Sequence, residues 1–215
     1  ECKPTNLHSI KTTNYNIMKI SFVGAGNVAS SLGNLFTNAG HTVKYGTQNP
    51  KENQLSISDA CAFGEIVCFA IPYQAMESVL ASNEEALKNK IVVDITNAIN
   101  LEDWSPLFLG EDSGGEQTAR LLPKSKVVKA FNTIFADVMK TDKQEFNGQK
   151  QTAFIASDDK DSANTIKQLA DEIGFNGLVV NDIKNARHLE AIAHLNINIA
   201  LSGGGTDAGF AYFQR

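Results

Sequence analysis

The chain of 215 residues is 42% hydrophobic and 20% charged, a composition that excludes collagen-like and disordered proteins. Its formal net charge is −5 and it has no dense run of Lys or Arg, so nucleic acid is not an expected partner. The longest apolar run, residues 66–71, is far shorter than the ~20 residues of a membrane-spanning helix. Three cysteines without CxxC spacing fit a reducing compartment. We therefore expect a cytoplasmic protein that binds neither nucleic acid nor membrane.

Residues 1–17 form a polar stretch with neither helical nor strand periodicity. We expect this segment to be a disordered or non-native extension, because a clean strand pattern begins only at Met18. The remaining residues, 18–215, have the length of one large domain.

Apolar, β-branched stretches alternate with helical patterns from Met18 onward. The predicted strands are 19–23, 41–45, 66–70, 91–94, 127–131, 152–156 and 178–180. The predicted helices are 27–38, 73–88, 116–122, 160–173 and 183–201. This alternation predicts an α/β fold: a single doubly wound Rossmann domain with a mostly parallel sheet and a C-terminal helix. The long stretch 101–126 interrupts the alternation and is expected to be a functional loop.

A glycine-rich turn, residues 24–29 (GAGNVA), joins the first strand to the first helix. Gly24 permits the tight turn, Gly26 lets the backbone approach a pyrophosphate, and the small Ala29 allows close packing of helix on strand. The first helical residues, Asn27 and Val28, place the positive end of the helix dipole at the phosphates. In this strand–turn–helix context the motif predicts dinucleotide binding; a purely structural turn is the alternative.

The segment after the second strand distinguishes NADP from NAD. NAD-binding domains place an acidic residue there, whereas this chain has no acid before Glu52. Thr47, Gln48, Asn49 and Lys51 all carry hydrogen-bond donors that suit a 2′-phosphate. The sequence therefore predicts NADP, in its reduced form NADPH, as the cofactor.

Four motifs in one order carry a family resemblance: residues 20–28 (ISFVGAGNV), 70–73 (AIPY), 93–97 (VDITN) and 127–133 (VVKAFNT). With them, the chain from Met18 to Arg215 resembles the predicted dinucleotide-binding reductases related to the coenzyme F420:NADP oxidoreductases. The fold of this family recurs in the cytosolic domain of the STEAP metalloreductases. In the family, Ser and Arg commonly hold the 2′-phosphate; here Thr47 retains the hydroxyl and Gln48 replaces the arginine.

The resemblance also implies where the rest of the cofactor lies. Ala70, Ile71 and Pro72 would line it beyond a central strand. Asn97 and the segment Ala130 to Asn132 would lie near the nicotinamide ribose and ring. These positions agree with the rule that ligands bind at the carboxyl ends of parallel strands.

Hydride transfer between two flat redox rings needs the reacting carbons held close and water excluded, and it needs no acid–base dyad. The candidate catalytic residues are Asn132 and His194. Asn132, with Asn97 and Thr133, has the chemistry to orient a carboxamide or a substrate carbonyl; capping after a strand is the alternative.

Arg187, Glu190 and His194 fall at positions i, i+3 and i+7 of the last helix and share a face. This stripe is either one wall of a substrate pocket or an ion pair within the helix beside a satisfied histidine. His188 and His194 are six residues apart and are expected to point to different sides, so we predict no metal site.

These observations predict an NADP-dependent oxidoreductase that transfers hydride between nicotinamide and a small-molecule acceptor. A deazaflavin, a flavin and a small carbonyl compound are the candidate co-substrates. One alternative is an imine reductase, because residues 22–29 also resemble pyrroline-5-carboxylate reductases. Another is a non-catalytic NADP-sensing protein. The last helix is apolar on more sides than one buried face needs, which favours a homodimer.

Overall fold

The computed structural model describes residues 16–108 and 110–215. Of the predicted extension, residues 1–15 lie outside the described residues. The strands are β1 Lys19–Val23, β2 Thr42–Thr47, β3 Leu55–Ser56, β4 Ile66–Phe69, β5 Ile91–Asp94, β6 Lys126–Ala130, β7 Glu145–Phe146, β8 Gln149–Lys150, β9 Thr152–Ser157 and β10 Asn176–Asn181. The helices are α1 Asn27–Asn38, α2 Ile57–Phe63, α3 Met76–Leu87, α4 Gly114–Leu121, α5 Lys160–Glu172 and α6 Ala186–Ile199.

Eight strands form one sheet in the order β10-β9-β6-β5-β4-β1-β2-β3, and β7 pairs with β8 in a separate hairpin. Read from its β3 edge, the first six strands follow the 3-2-1-4-5-6 order of dinucleotide-binding folds. All pairings in the large sheet are parallel except that of β6 with β9. The predicted doubly wound α/β fold with a mostly parallel sheet is therefore confirmed.

Two hydrophobic layers cover the sheet because successive strand residues point to opposite faces. On one face, Ile20 and Phe22 of β1 pack with Leu32 and Phe36 of α1, and α5 contributes to the same layer. On the other face, residues of β4 and β5 pack against α2, α3 and the start of α6. Burial on both faces explains the continuous apolar runs of the central strands.

Strand β3 and helix α2 were missed by the sequence analysis because the segment after Pro50 is mostly polar. Ser56 caps the start of α2, because its hydroxyl accepts a hydrogen bond from the Asp59 backbone N–H at 3.1 Å. Ala60 and Cys61 are its buried residues. A helix of seven residues with two buried positions is too short to give a clear periodicity.

The last helix is shorter than the predicted range 183–201. Ile183–Asn185 form a 3-10 turn, α6 covers Ala186–Ile199, and Ala200–Gly204 close in a π-helical turn. Because β9 and β10 run antiparallel to the other six strands of the sheet, the chain leaves β10 at the edge where β6 begins. Helix α6 then runs toward the carboxyl ends of β5 and β6. This direction brings the middle of α6 to the edge where ligands bind in such sheets.

Candidate functional site

The glycine turn directly follows β1, which pairs with β4 in the middle of the sheet. The helices that follow these two strands, α1 and α3, pack on opposite faces of the sheet, so this is its switch point. Gly24 has φ +111°, and a Cβ at this position would clash with the carbonyl oxygen of Ala70, so glycine is required there. Its N–H donates to the Gly46 carbonyl at 2.9 Å and ties the turn to β2. The first helical turn of α1, from Asn27 and Val28 onward, contains no acidic residue that would repel a phosphate.

Gly26, unlike Gly24, occupies a position where the protein could accommodate a side chain. Its φ of −76° is open to any residue, and a Cβ built on it meets nothing within 4 Å. Neither the backbone nor the packing of the protein therefore demands glycine at this position. Open space beside the start of α1 fits a pyrophosphate that approaches the backbone closely.

The four residues predicted to hold a 2′-phosphate lie at the end of β2 and in the segment that follows it: Thr47 is half-buried, and Gln48, Asn49 and Lys51 are exposed. The Thr47 hydroxyl donates to Oε1 of Gln54 at 3.3 Å, and the Lys51 backbone N–H donates to the same oxygen at 3.0 Å. Gln54 thus shapes the turn, which leaves the Lys51 ammonium and the Gln48 amide free to face solvent or a ligand.

The segment Ala70, Ile71 and Pro72 leaves β4 directly beside the glycine turn. The Ala70 carbonyl lies beneath Gly24, and Cγ2 of Ile71 is 3.2 Å from the position of a Cβ on Gly24. The structure thus brings this predicted lining and the predicted pyrophosphate turn together.

Asn97 and Asn132, at the ends of β5 and β6, hold each other by two hydrogen bonds. Nδ2 of Asn97 donates to the Asn132 carbonyl oxygen at 2.9 Å, and Nδ2 of Asn132 donates to Oδ1 of Asn97 at 2.9 Å. Between the buried Ala130 and Asn132, Phe131 adopts φ +62° although it is bulky and fully buried. Left-handed backbone at such a residue marks a segment whose geometry the surrounding structure fixes.

A cavity of about 210 Å³ opens at this edge of the sheet, between α1, α6 and the loop after β5. Its wall is mostly apolar and includes Val28, Asn97, Trp104, Phe131 and Asn132. Val28 connects the cavity to the glycine turn, so one continuous edge runs from the predicted phosphate site to the predicted nicotinamide site.

Lys129 of β6 carries a fully buried ammonium group. Its Nζ donates to the Thr96 carbonyl at 2.6 Å and lies 3.3 Å from Oδ1 of Asp94 and 2.8 Å from Oε1 of Glu190. Burial lowers the pKa of this ammonium, but the charges of Asp94 and Glu190 outweigh burial, and the net direction is upward. The second oxygen of Asp94 accepts from the Thr118 hydroxyl at 2.8 Å.

Glu190 links α6 to the start of α4. Its carboxylate accepts from the backbone N–H groups of Gly114 and Gly115 at 3.1 and 3.0 Å. Arg187 pairs with Glu116 of α4, Nη2 to Oε1 at 2.6 Å and Nε to Oε2 at 3.0 Å. The proposed ion pair within α6 is therefore wrong, because both charged side chains reach across to α4.

A second cavity, of about 270 Å³, lies between α6 and the loop after β5. Its wall includes Asn97, Ile99, Phe108, Asp112, His188, Glu190 and His194. The expectation that the two histidines point to different sides is wrong, since both line this cavity. The His194 ring lies 3.3 Å from the side-chain nitrogen of Asn198. The described residues contain no group of three His, Cys, Asp or Glu arranged to hold a metal.

Residues 19–98 match the family model described as NADP oxidoreductase, coenzyme F420-dependent. Over these residues the chain is similar to this family. The resemblance predicted from the sequence is thereby confirmed, and the related proteins support the prediction of an NADP-dependent oxidoreductase.

Two curated proteins are similar to this chain. The F420-dependent NADP reductase of Methanothermobacter thermautotrophicus is 26% identical over 90% of this chain and 94% of its own length. Metalloreductase STEAP3 of Rattus norvegicus is 29% identical over 81% of this chain. The chain spans about a third, 36%, of the length of STEAP3. Within the described residues, no helix is long and apolar enough to cross a bilayer.

Solved structures agree with the family. A protein from Arthrobacter sp. FB24, described as a candidate F420-dependent NADP reductase, superposes with a TM-score of 0.82 at 26% identity over 92% of this chain and 100% of its own. A pyrroline carboxylate reductase of Plasmodium falciparum with NADP bound gives a TM-score of 0.57 at 16% identity, over 87% of this chain and 63% of its own. The second likeness shows the shared fold alone.

Asp94, Lys129 and Glu190 form a charged cluster inside the protein. The sequence analysis did not predict that these three residues contact one another. One signal was available: Asp94 ends the apolar run 91–93, and Lys129 lies within the apolar stretch 127–131. Charges in such strands are rarely fully buried unless they are paired, and the two residues are register partners on β5 and β6.

Proposed function

We propose that this protein is an NADPH-dependent oxidoreductase that passes a hydride between nicotinamide and a small redox acceptor. The observation that carries the proposal is the space at Gly26. The protein keeps a glycine where its own backbone and packing would accept a side chain, at the start of α1 and beside a turn rich in donors. A cofactor that needs this volume explains the glycine.

The residues along this edge fit NADP. Thr47, Gln48, Asn49 and Lys51 would hold the 2′-phosphate, and Gly24, Gly26, Asn27 and Val28 would hold the pyrophosphate. Ala70, Ile71 and Pro72 would line the cofactor beyond β4, and Asn97, Ala130 and Asn132 would lie near the nicotinamide ribose and ring.

The chain contributes binding, orientation and exclusion of water, whereas bound NADPH supplies the hydride. The Asn97–Asn132 pair fixes one end of the ring pocket, and Trp104 and Phe131 exclude water from it. His194 lines the adjoining cavity and is placed to give a proton to an acceptor that requires one.

The acceptor is proposed to occupy the second cavity, which shares Asn97 with the ring pocket. The names of the F420-dependent relatives favour a deazaflavin, and a flavin or a small carbonyl compound are the other candidates. We further propose a cytoplasmic homodimer with neither nucleic acid nor membrane as partner. Leu195, Ile199 and Leu201, exposed at 53%, 44% and 63%, support an association surface at the end of α6.

Stopped-flow absorbance of NADPH with a panel of deazaflavin, flavin, carbonyl and imine acceptors tests the function. We expect oxidation with at least one acceptor, loss of turnover in Gly26→Val, and full turnover in Asn34→Ala, which alters an exposed position of α1. Tight stoichiometric binding without oxidation by any acceptor would contradict the enzyme and support an NADP sensor. Turnover of imines alone would support the imine reductase.

A further inference from the structure

Asn132 carries a hydrogen-bond acceptor that the protein leaves unused. The residue is 6% exposed, and its Oδ1 is one of the buried side-chain oxygens without a hydrogen-bond partner. Folded proteins rarely leave such an atom unpaired, and each exception asks for an explanation. Among the residues that the structure describes, the other such atoms are on Ser21, Gln151 and Ser162, and these residues do not line the cavity at the ends of β5 and β6.

The identity of the free atom follows from its neighbours. The Asn132 carbonyl is an acceptor only, so the Asn97 side chain must present its nitrogen to it. Asn97 therefore presents Oδ1 to Asn132, which must donate through Nδ2. Two linked hydrogen bonds thus fix both amides, and the unpartnered atom of Asn132 is an oxygen.

The position of this oxygen defines what kind of group it receives. Asn132 lines the 210 Å³ cavity together with Val28, whose helix begins at the glycine turn. Phe131, which precedes Asn132, has a left-handed backbone conformation and lines the same cavity. A carbonyl oxygen or a fully ionised phosphate has no proton to offer an acceptor, whereas a primary carboxamide has two.

We propose that Oδ1 of Asn132 accepts a hydrogen bond from the carboxamide N–H of the nicotinamide ring. This inference rests on the proposed function and assigns Asn132 as a positioning residue, braced by Asn97. The bond fixes the rotation of the ring, and hence the direction of its reactive carbon. It also makes the site selective for an amide over a ketone or a carboxylate at that ring position.

Calorimetric titration with NADP⁺ and its 3-acetylpyridine analogue, which carries a methyl group in place of the amide nitrogen, tests the inference. We expect wild-type protein to bind NADP⁺ about tenfold more tightly than the analogue, the fold-change of one net hydrogen bond. In Asn132→Ala the ratio should fall to about one, while Asn34→Ala should keep the wild-type ratio. A ratio near one in the wild type, or an unchanged ratio in Asn132→Ala, overturns the proposal.

A second ligand tests the same atom without any variant. The nicotinic acid form of the dinucleotide places a carboxylate opposite Oδ1, where two acceptors repel, and should bind wild-type protein more weakly than the acetylpyridine analogue. Binding equal to that of NADP⁺ contradicts the proposal. These readouts are independent of turnover. Discrimination without oxidation of NADPH refutes only the proposed enzyme, and oxidation without discrimination refutes only the assignment of Asn132.

Discussion

Nζ of Lys129 lies 2.8 Å from Oε1 of Glu190, although one residue belongs to β6 and the other to α6. The Lys129 side chain is fully buried and that of Glu190 is 11% exposed. Because Glu190 also accepts from the first N–H groups of α4, this pair joins the sheet to both α4 and α6.

Removal of the Lys129 charge should destabilise the fold strongly. Lys129→Met leaves the carboxylates of Asp94 and Glu190 without their shared cation, and breaking a buried pair in this way costs about 3–5 kcal/mol. Urea unfolding at neutral pH measures the loss. The double variant Lys129→Met/Glu190→Gln should recover part of it, and a single-variant loss below about 1 kcal/mol would contradict the assigned role.

The two glycines of the turn should respond differently to substitution. Gly26→Val should lower the unfolding temperature only slightly, since its Cβ meets open space and Val is merely a poorer N-cap residue, and should weaken NADPH binding by at least about 100-fold through loss of phosphate contact. Gly24→Ala should lower the unfolding temperature, since its backbone is left-handed and the Ala70 carbonyl blocks a Cβ. Calorimetry and thermal melts separate the two effects. Equal melting temperatures for the two variants would refute this distinction.

An arginine at position 48 should strengthen the preference for NADPH. Gln48 is exposed on the turn after β2, so Gln48→Arg adds a guanidinium able to pair with a 2′-phosphate. We expect NADPH affinity to rise about tenfold and NADH affinity to stay constant. Gln149→Arg, on the exposed strand β8, is the matched control. A similar gain for NADH would place the turn away from the 2′-phosphate.

The thiols of Cys61 and Cys68 should resist alkylation in the folded protein. Burial raises the pKa of Cys61 to about 11, with the charge of Lys90 opposing it, and burial raises the pKa of Cys68 still further. At pH 8 only about one Cys61 in a thousand is a thiolate, and reactivity should increase as pH rises toward that pKa. Mass spectrometry of Cys2→Ser protein treated with a thiol reagent measures this. Rapid labelling of either residue at pH 8 would contradict it.

Much of this fold could be predicted from the sequence because most of its helices and strands are encoded by patterns within contiguous residues. The bounds of α1 and the glycine turn follow from one apolar face and a short motif. Helix α2 lacks such a pattern. The partners of Glu190 depend on the direction in which α6 crosses the sheet. That direction follows from the antiparallel pairing of β9 with β6, and it cannot be inferred from the residue spacing within α6.

The free oxygen of Asn132 illustrates the same limit. Its position was predicted near the nicotinamide from the family resemblance, but its unused acceptor emerges only from counting the hydrogen bonds of two asparagines 35 positions apart. A sequence records which polar groups exist, whereas the fold decides which of them remain unpaired.

The reversed direction of β9 and β10 has a practical consequence for surface attachment. Lys126, Asp158 and Ile183 meet at the edge opposite the glycine turn. Lys184 lies next to them and is exposed. A biotin coupled at position 184 would orient every immobilised molecule with its nucleotide groove toward the flowing solution, which suits biosensor measurements on this chain.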